Sequence, residues 1–248
     1  MTAVVSTAAG TGRARETRGA ILDAAERLFA EHGVGEVSNR QIGEAAGQGN
    51  NFAVGYHFGT KAGLVRAIVR RHTAGLEERR LRLLAGIDVP GELRDWISCL
   101  VRPATDHLDA LGVPGWRARC MAQINTVPAL RQIVIEESAA TPSMRSTLDG
   151  MFRLLAGLPE DVRRERAGMS RLLLVHALAE REHALAEQER ALAEREHERG
   201  QAPDEGGAAV HDAWAATAAG LVDALTGLWT APVSSGAARL PAGRRMSQ

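Results

Sequence analysis

From Thr17 to Glu31 the apolar residues Ile21, Leu22, Ala25, Leu28 and Phe29 recur at the spacing of one helix face, and EHGVGEV ends the run at Gly33. Ser38 followed three residues later by Gln41 forms a capping box, which predicts a second, short helix whose buried face is Ile42, Ala45 and Ala46. Gly47 is its expected left-handed cap, and Asn50 or Asn51 can cap a third short helix from Phe52 to about His57. Gly59 then breaks the chain. Thr60 caps a longer helix from Lys61 that buries Leu64, Val65, Ile68 and Val69. Phe29, Phe52 and Phe58 are expected in the core, because aromatics flanking short helices close a small domain.

Beyond Leu84 the segments ELRDWISCLVRPATDHLDALG, GWRARCMAQIN, PALRQIVIEESAA and PSMRSTLDGMFRLLAGL read as helices punctuated at Pro90, Pro114, Pro128 and Pro142. Pro103 is expected to kink or split the first of them. In the last helical segment Val210, Trp214, Ala218, Leu221, Leu225 and Leu228 form a continuous stripe. Residues 176–196 hold a sevenfold repeat, HALAERE, HALAEQE and RALAERE, in which only Leu178, Leu185 and Leu192 recur as large apolar residues. That half-empty seam predicts a charge-rich, mostly solvated extension of the preceding helix, and removing residues 183–196 is expected to leave dimerisation and operator affinity nearly intact with little loss of melting temperature. His176, Glu180, His183 and Glu187 share a face, but an exposed charged face accounts for them and no metal or cofactor is expected.

Composition supports an all-α fold. Aromatics are only 4% of the chain, and Ala, Leu, Arg and Glu dominate. The formal charge is zero over 248 residues, yet residues 1–80 carry a net +3 and residues 81–248 a net −3, a basic head on an acidic body. There is no basic start followed by a long apolar stretch and no run of eighteen apolar residues, so neither export nor membrane insertion is expected and the cytoplasm is the expected compartment. Cys99 and Cys120 lack metal-ligand spacing and are expected as buried free thiols. No nucleophile elbow, phosphate loop or HExxH is present, and GQGNNF after a helix is not a dinucleotide fingerprint; no enzyme is expected.

Two short helices around a glycine turn, laid on a supporting helix, follow the helix-turn-helix logic in which the second short helix enters the major groove of duplex DNA. The candidate contacts are Ser38, Arg40, Asn50, Asn51, Ala53, Tyr56, His57 and Lys61. Asn50, Asn51, Tyr56 and His57 offer donors and acceptors, the small Ala53 and Gly55 allow close approach, and Lys61 at a helix start aims a charge at phosphates. Arg40 is either a solvated charge or a phosphate clamp, and Tyr56 either packs or contacts DNA. Arg13, Arg15 and Arg18 belong to an arm that either tracks a groove or is disordered.

The stretches ILDAAERLFAEHG, SNRQIGEAAG and YHFGTKAGL resemble the DNA-binding domain of TetR-type transcriptional regulators, with matches at Ile42, Ala46, Gly47, His57, Phe58, Thr60 and Lys61. The turn GQGNNFAVGYHF is one residue longer than the common spacing, with Gly55 where the first Tyr usually stands, and resembles a variant subgroup. The resemblance implies a three-helix DNA-binding head, a larger C-terminal bundle for dimerisation and ligand binding, and an inverted-repeat operator bound by a homodimer. It also implies a small apolar or amphipathic effector, for which Trp96, His107, Trp116 and Met121 are candidates by side-chain type. The last two long helices would pair with their symmetry mates through Trp214, Leu221, Leu225 and Leu228, the alternative being that this stripe packs inside the chain. The expected division is an arm over 1–14, the head over 15–60, a connecting helix over 61–84, a regulatory region over 85–231 containing the repeat and linker at 176–207, and a tail over 232–248. The rival readings are a helical small-molecule-binding protein or enzyme without DNA binding, and a helical scaffold.

Overall fold

A computed structural model describes residues 5–50, 52–199 and 207–233, and the side chains of all of these except residues 5–11, 196, 198, 199, 207 and 208. Among the described residues there are ten helices and no strand. They are α1 (Val5–His32), α2 (Asn39–Ala45), α3 (Ala53–Phe58), α4 (Lys61–Leu84), α5 (Leu93–Leu111), α6 (Arg117–Thr126), α7 (Pro128–Ala139), α8 (Pro142–Leu154), α9 (Glu160–Arg199) and α10 (Gly207–Thr230). α1 reaches back to Val5, so its first turns lie where an arm is expected.

The helices wrap two apolar cores. The first gathers Ile21, Ala25 and Phe29 of α1, Ile42 of α2, Val54 of α3 and Leu64, Val65 and Ile68 of α4. It also takes Cys120 and Ile124 of α6 and Leu130 and Ile133 of α7, so the N-terminal helices close their core on part of the C-terminal region. The second is built by Trp96, Ile97 and Val101 of α5, Met151 of α8, Leu178 and Leu185 of α9 and Trp214, Leu221, Leu225 and Trp229 of α10. Both cysteines are free and buried; burial pushes the Cys99 thiol up to about 11 and raises Cys120 as well, so neither is a nucleophile at neutral pH.

Pro103 does not split α5, which runs unbroken from Leu93 to Leu111. Proline lacks the N–H that would reach back to the carbonyl of Cys99, and the buried Arg80 of α4 supplies the missing donor, with Nε 3.0 Å from that oxygen. The repeat is likewise only partly an extension. Leu178, Ala179 and Glu182 of its first unit and Leu185 and Ala186 of its second are buried, whereas Leu192 of the third is 47% exposed. Glu182 accepts from the backbone N–H groups of Ala118 and Arg119, 3.0 and 2.9 Å away, and so caps the start of α6. The expectation that residues 183–196 are dispensable is therefore corrected: one large apolar residue per heptad suffices when the partner is a globular core and not a second matching helix.

Candidate nucleic-acid interface

The geometry around α3 follows from local sequence. Ser38 caps α2 as expected: its Oγ accepts from the Gln41 N–H at 3.2 Å while the Gln41 Oε1 accepts from the Ser38 N–H at 2.9 Å. α2 ends where Gly47, at φ +67°, lets the Gly47 and Gln48 N–H groups turn back to the carbonyls of Glu44 and Gly43. The Asn50 Oδ1 accepts the Phe52 N–H at 2.9 Å and leads the chain into α3. Thr60 caps α4, its Oγ1 accepting the Gly63 N–H at 3.1 Å. A Cβ on Gly63 would lie 2.1 Å from the carbonyl oxygen of Phe58, so the tight junction of α3 and α4 requires glycine there.

α3 therefore sits with one face fixed and the other free. Val54 is in the core, and Ala53, 9% exposed, packs there too. Ala53 as a contact residue is thus a correction: in a six-residue helix the two small side chains after the cap are the ones that reach the core. Phe52 is the opposite correction. It is 80% exposed, and Tyr56, four residues on, is 87% exposed, so both rings stand in solvent. His57 is half-buried with its ring edge-on to Tyr56, centroids 5.2 Å apart. Phe58 packs against the first core.

Lys61 does not point outward. Its Nζ donates to the carbonyls of Val34 and Val37 at 2.7 and 2.8 Å, pinning the loop between α1 and α2 to the start of α4. A cation at a helix N-terminus is unfavourable to the helix dipole, and two carbonyl acceptors offset that cost. Arg40 is exposed but engaged along its own helix, its Nε donating to the Glu44 carboxylate at 2.8 Å, which raises its pKa above the ordinary value. Arg18, exposed on α1, lies nearest the aromatic surface: its Nη1 donates to the His57 carbonyl at 2.9 Å and its guanidinium covers the Phe58 ring at 4.3 Å. Position alone could not mark it out among Arg13, Arg15 and Arg18. Asn51 lies outside the described residues.

Residues 21–68, from α1 through α2 and α3 into α4, match the family described as "Bacterial regulatory proteins, tetR family". This segment is a TetR-type N-terminal domain. The HTH-type transcriptional repressor AcnR of Corynebacterium glutamicum is 33% identical over 99 residues, covering 38% of this chain and 52% of that protein. The chain spans about half the length of this curated relative. A solved structure of a candidate transcriptional regulator from Streptomyces coelicolor A3(2) covers 84% of this chain at 20% identity, with a TM-score of 0.31. At that score the likeness says nothing about function.

Behind the TetR-type head the side chains singled out for ligand and partner take other places. Of these, only Met121 lines an apolar cavity of about 310 Å³ that is walled by α5 to α10 and partly open to solvent. Trp96 is buried in the second core with its Nε1 donating to the Pro90 carbonyl at 3.0 Å. Trp116 lies under the Arg119 guanidinium, 4.5 Å from its ring centre, beside a polar cleft between the head and α6. His107 joins a buried chain, its Nε2 2.8 Å from the His72 Nδ1, with the His72 Nε2 3.1 Å from the Glu26 carboxylate of α1. Burial, then the neighbouring His72 and Arg117, brings His107 down to about 4. Burial also lowers His72 against the opposing pull of Glu26. Burial by itself would raise Glu26, but the His72 hydrogen bond and the charges of Arg117 and Arg71 hold it below its ordinary range. At neutral pH the chain is an ionised Glu26 beside two neutral histidines.

The stripe on α10 is the remaining correction. Trp214, Leu221 and Leu225 are buried and Leu228 is half-buried, packed in the second core, so this face serves the chain's own interior and is unavailable to a second copy. A periodic apolar stripe states that something covers it and not what.

Proposed function

We propose that this protein is a ligand-responsive transcriptional repressor that binds an inverted-repeat duplex as a homodimer in the cytoplasm, without enzymatic activity. The observation that carries the reading is α3 with its cap residue, which together present Tyr56 and Phe52 to solvent from a TetR-type domain while the opposite face of the helix is locked in the core. Tyr56 and the His57 edge would meet the groove, and the Arg18 charge the flanking phosphates, with Ser38 and Asn50 holding the frame. None of the helices among the described residues is long and apolar enough to cross a membrane.

The dimer surface is reassigned to the outward faces of α9 and α10. Met169, Leu172 and Leu173 are exposed on α9, and Ala216, Gly220 and Ala224 give α10 a flat outer face. The two helices run antiparallel: the Arg166 Nη1 reaches the Trp229 carbonyl at 2.8 Å and the Arg181 Nε the Thr217 Oγ1 at 2.8 Å. Effector response would travel through α6, whose Cys120 and Ile124 pack in the head's core while Met121 and Asn125 line the apolar cavity. A ligand that moved α6 would move α1, and with it the head.

Selection of bound sequences from random duplex DNA tests the reading. Enrichment of an inverted repeat, with affinity falling steeply as salt rises, is the expected result. No enrichment over random DNA removes it.

A further inference from the structure

The apolar cavity is lined by leucine, isoleucine, methionine and aromatic side chains, with three neutral polar residues, Asn125, Ser138 and Ser170, and one charge, Arg171 of α9. The Arg171 Nη1 donates to the Asn125 Oδ1 at 3.2 Å, and no carboxylate lies within ion-pair distance of it among the described residues. The charge that acts on it is Arg131, of the same sign, and burial together with that repulsion holds Arg171 below its ordinary pKa. Three other buried or half-buried arginines do meet an anion or a carbonyl: Arg80 bonds the Cys99 carbonyl, Arg119 sits 3.5 Å from Glu182, and Arg166 bonds the Trp229 carbonyl.

Arg171 is also held in place. Asn125, itself buried, donates from Nδ2 to the Met121 carbonyl at 2.8 Å, which fixes the amide and turns its oxygen toward the guanidinium. Ser170 accepts from the Trp229 Nε1 at 2.9 Å, which leaves its hydroxyl hydrogen free to donate. An oriented cation and a hydroxyl donor at the wall of an otherwise apolar cavity are two donors waiting for one acceptor group that brings a negative charge.

We infer that the cavity takes a monoanionic amphiphile, a carboxylic acid with an aliphatic chain of medium length, whose carboxylate pairs with Arg171 and whose chain lies among Leu148, Met151, Phe152 and Leu174. A volume of about 310 Å³ is at the small end of ligand pockets, roughly 300 to 1,000 Å³, which favours a medium chain over a long one. The neutral counterpart of the same length fills the same space but brings no anion to the half-buried guanidinium, and the cationic one sets a like charge beside it, so both bind less tightly. The inference rests on the ligand-responsive reading above and names the ligand's chemistry.

The test is calorimetric titration of the full chain, without DNA, with decanoate, decanol and decyltrimethylammonium, so that failure here is separate from failure of operator selection. Wild type is expected to bind decanoate roughly 10- to 100-fold more tightly than decanol, the range for a hydrogen-bonded charge, and the cation least. Arg171→Gln should keep its melting temperature and its decanol affinity and lose the preference for the acid, while Arg171→Lys should retain most of that preference. Equal affinity of wild type for decanoate and decanol, absence of decanoate binding, or an unchanged decanoate preference in Arg171→Gln would each overturn the inference.

Discussion

Two helices of this chain carry conspicuous aromatic side chains and treat them in opposite ways. α10 buries Trp214 and Trp229, together with Leu221 and Leu225, against α5 and α9; α3 leaves Phe52 and Tyr56 in solvent. The difference is one of length and partner. α10 is 24 residues long and has a covering helix along its apolar face, so every side chain on that face finds the interior. α3 is six residues long, commits Ala53 and Val54 to the core, and leaves Tyr56 uncovered by any of the described residues. A buried stripe accounts for itself through the fold. Two large aromatics left in water do not, and they are the reason a partner is proposed to cover this surface.

The largest expected effect lies on the α10 side. Leu221→Ala and Leu225→Ala should each cost about 2 to 5 kcal/mol of stability in denaturant unfolding, the range for core leucines. Sedimentation of whatever folded protein remains should show the oligomeric state of wild type. A folded, fully stable monomer would instead return this stripe to the dimer interface. On the α3 side, Phe52→Ala with Tyr56→Ala should leave stability within about 0.5 kcal/mol while abolishing selective duplex binding in a gel-shift titration.

Lys61→Met sharpens the comparison, because it separates the frame of the head from its surface. Losing two hydrogen bonds from a charged donor should cost about 1.5 to 3 kcal/mol, read as a lower urea midpoint. DNA affinity should then fall in proportion to the unfolded fraction, with an unchanged salt slope. A reduced slope at full stability would put the ammonium on phosphate after all.

Acid should weaken the junction between the two regions. His107 titrates at about 4 in the fold and near 6.5 when unfolded, so between those values the unfolded chain holds more protons and stability falls as pH falls. The loss is complete below about 4 and absent above about 6.5; the shift alone is worth about 3 kcal/mol, and solvent screening at the half-buried ring reduces it to the order of 2 kcal/mol. Glu26, depressed in the fold, adds to the loss at still lower pH. His107→Gln should flatten the melting temperature between pH 6.5 and 4, and an unchanged slope would remove His107 as its source. The smallest effect belongs to the third heptad: deleting residues 190–196, whose Leu192 is exposed, should change stability by no more than about 0.5 kcal/mol by thermal melting.

The head was largely legible in sequence because its signals are local. The Ser38 and Gln41 box, Gly47, Thr60 and the periodic faces of α1 and α4 each act within a few residues. The assignments that failed concern what a side chain meets across the fold. The destination of Lys61 depends on the carbonyls of Val34 and Val37, and the Pro103 helix survives through Arg80, a residue of another helix. Leu185 looked like one of three equivalent leucines, and only the position of the core separates it from Leu192. Arg171 carried no local sign at all; it becomes conspicuous only once Asn125 and the apolar wall surround it.

The central claim is that the exposed edge of α3 is the surface that meets duplex DNA. A photoreactive p-benzoylphenylalanine placed at Tyr56, irradiated with the duplex obtained by selection, tests it most directly, with the same group at the exposed Met169 of α9 as the control. The expected result is a covalent protein–DNA adduct from position 56 and none from position 169. An adduct from α9 with none from α3 would contradict it.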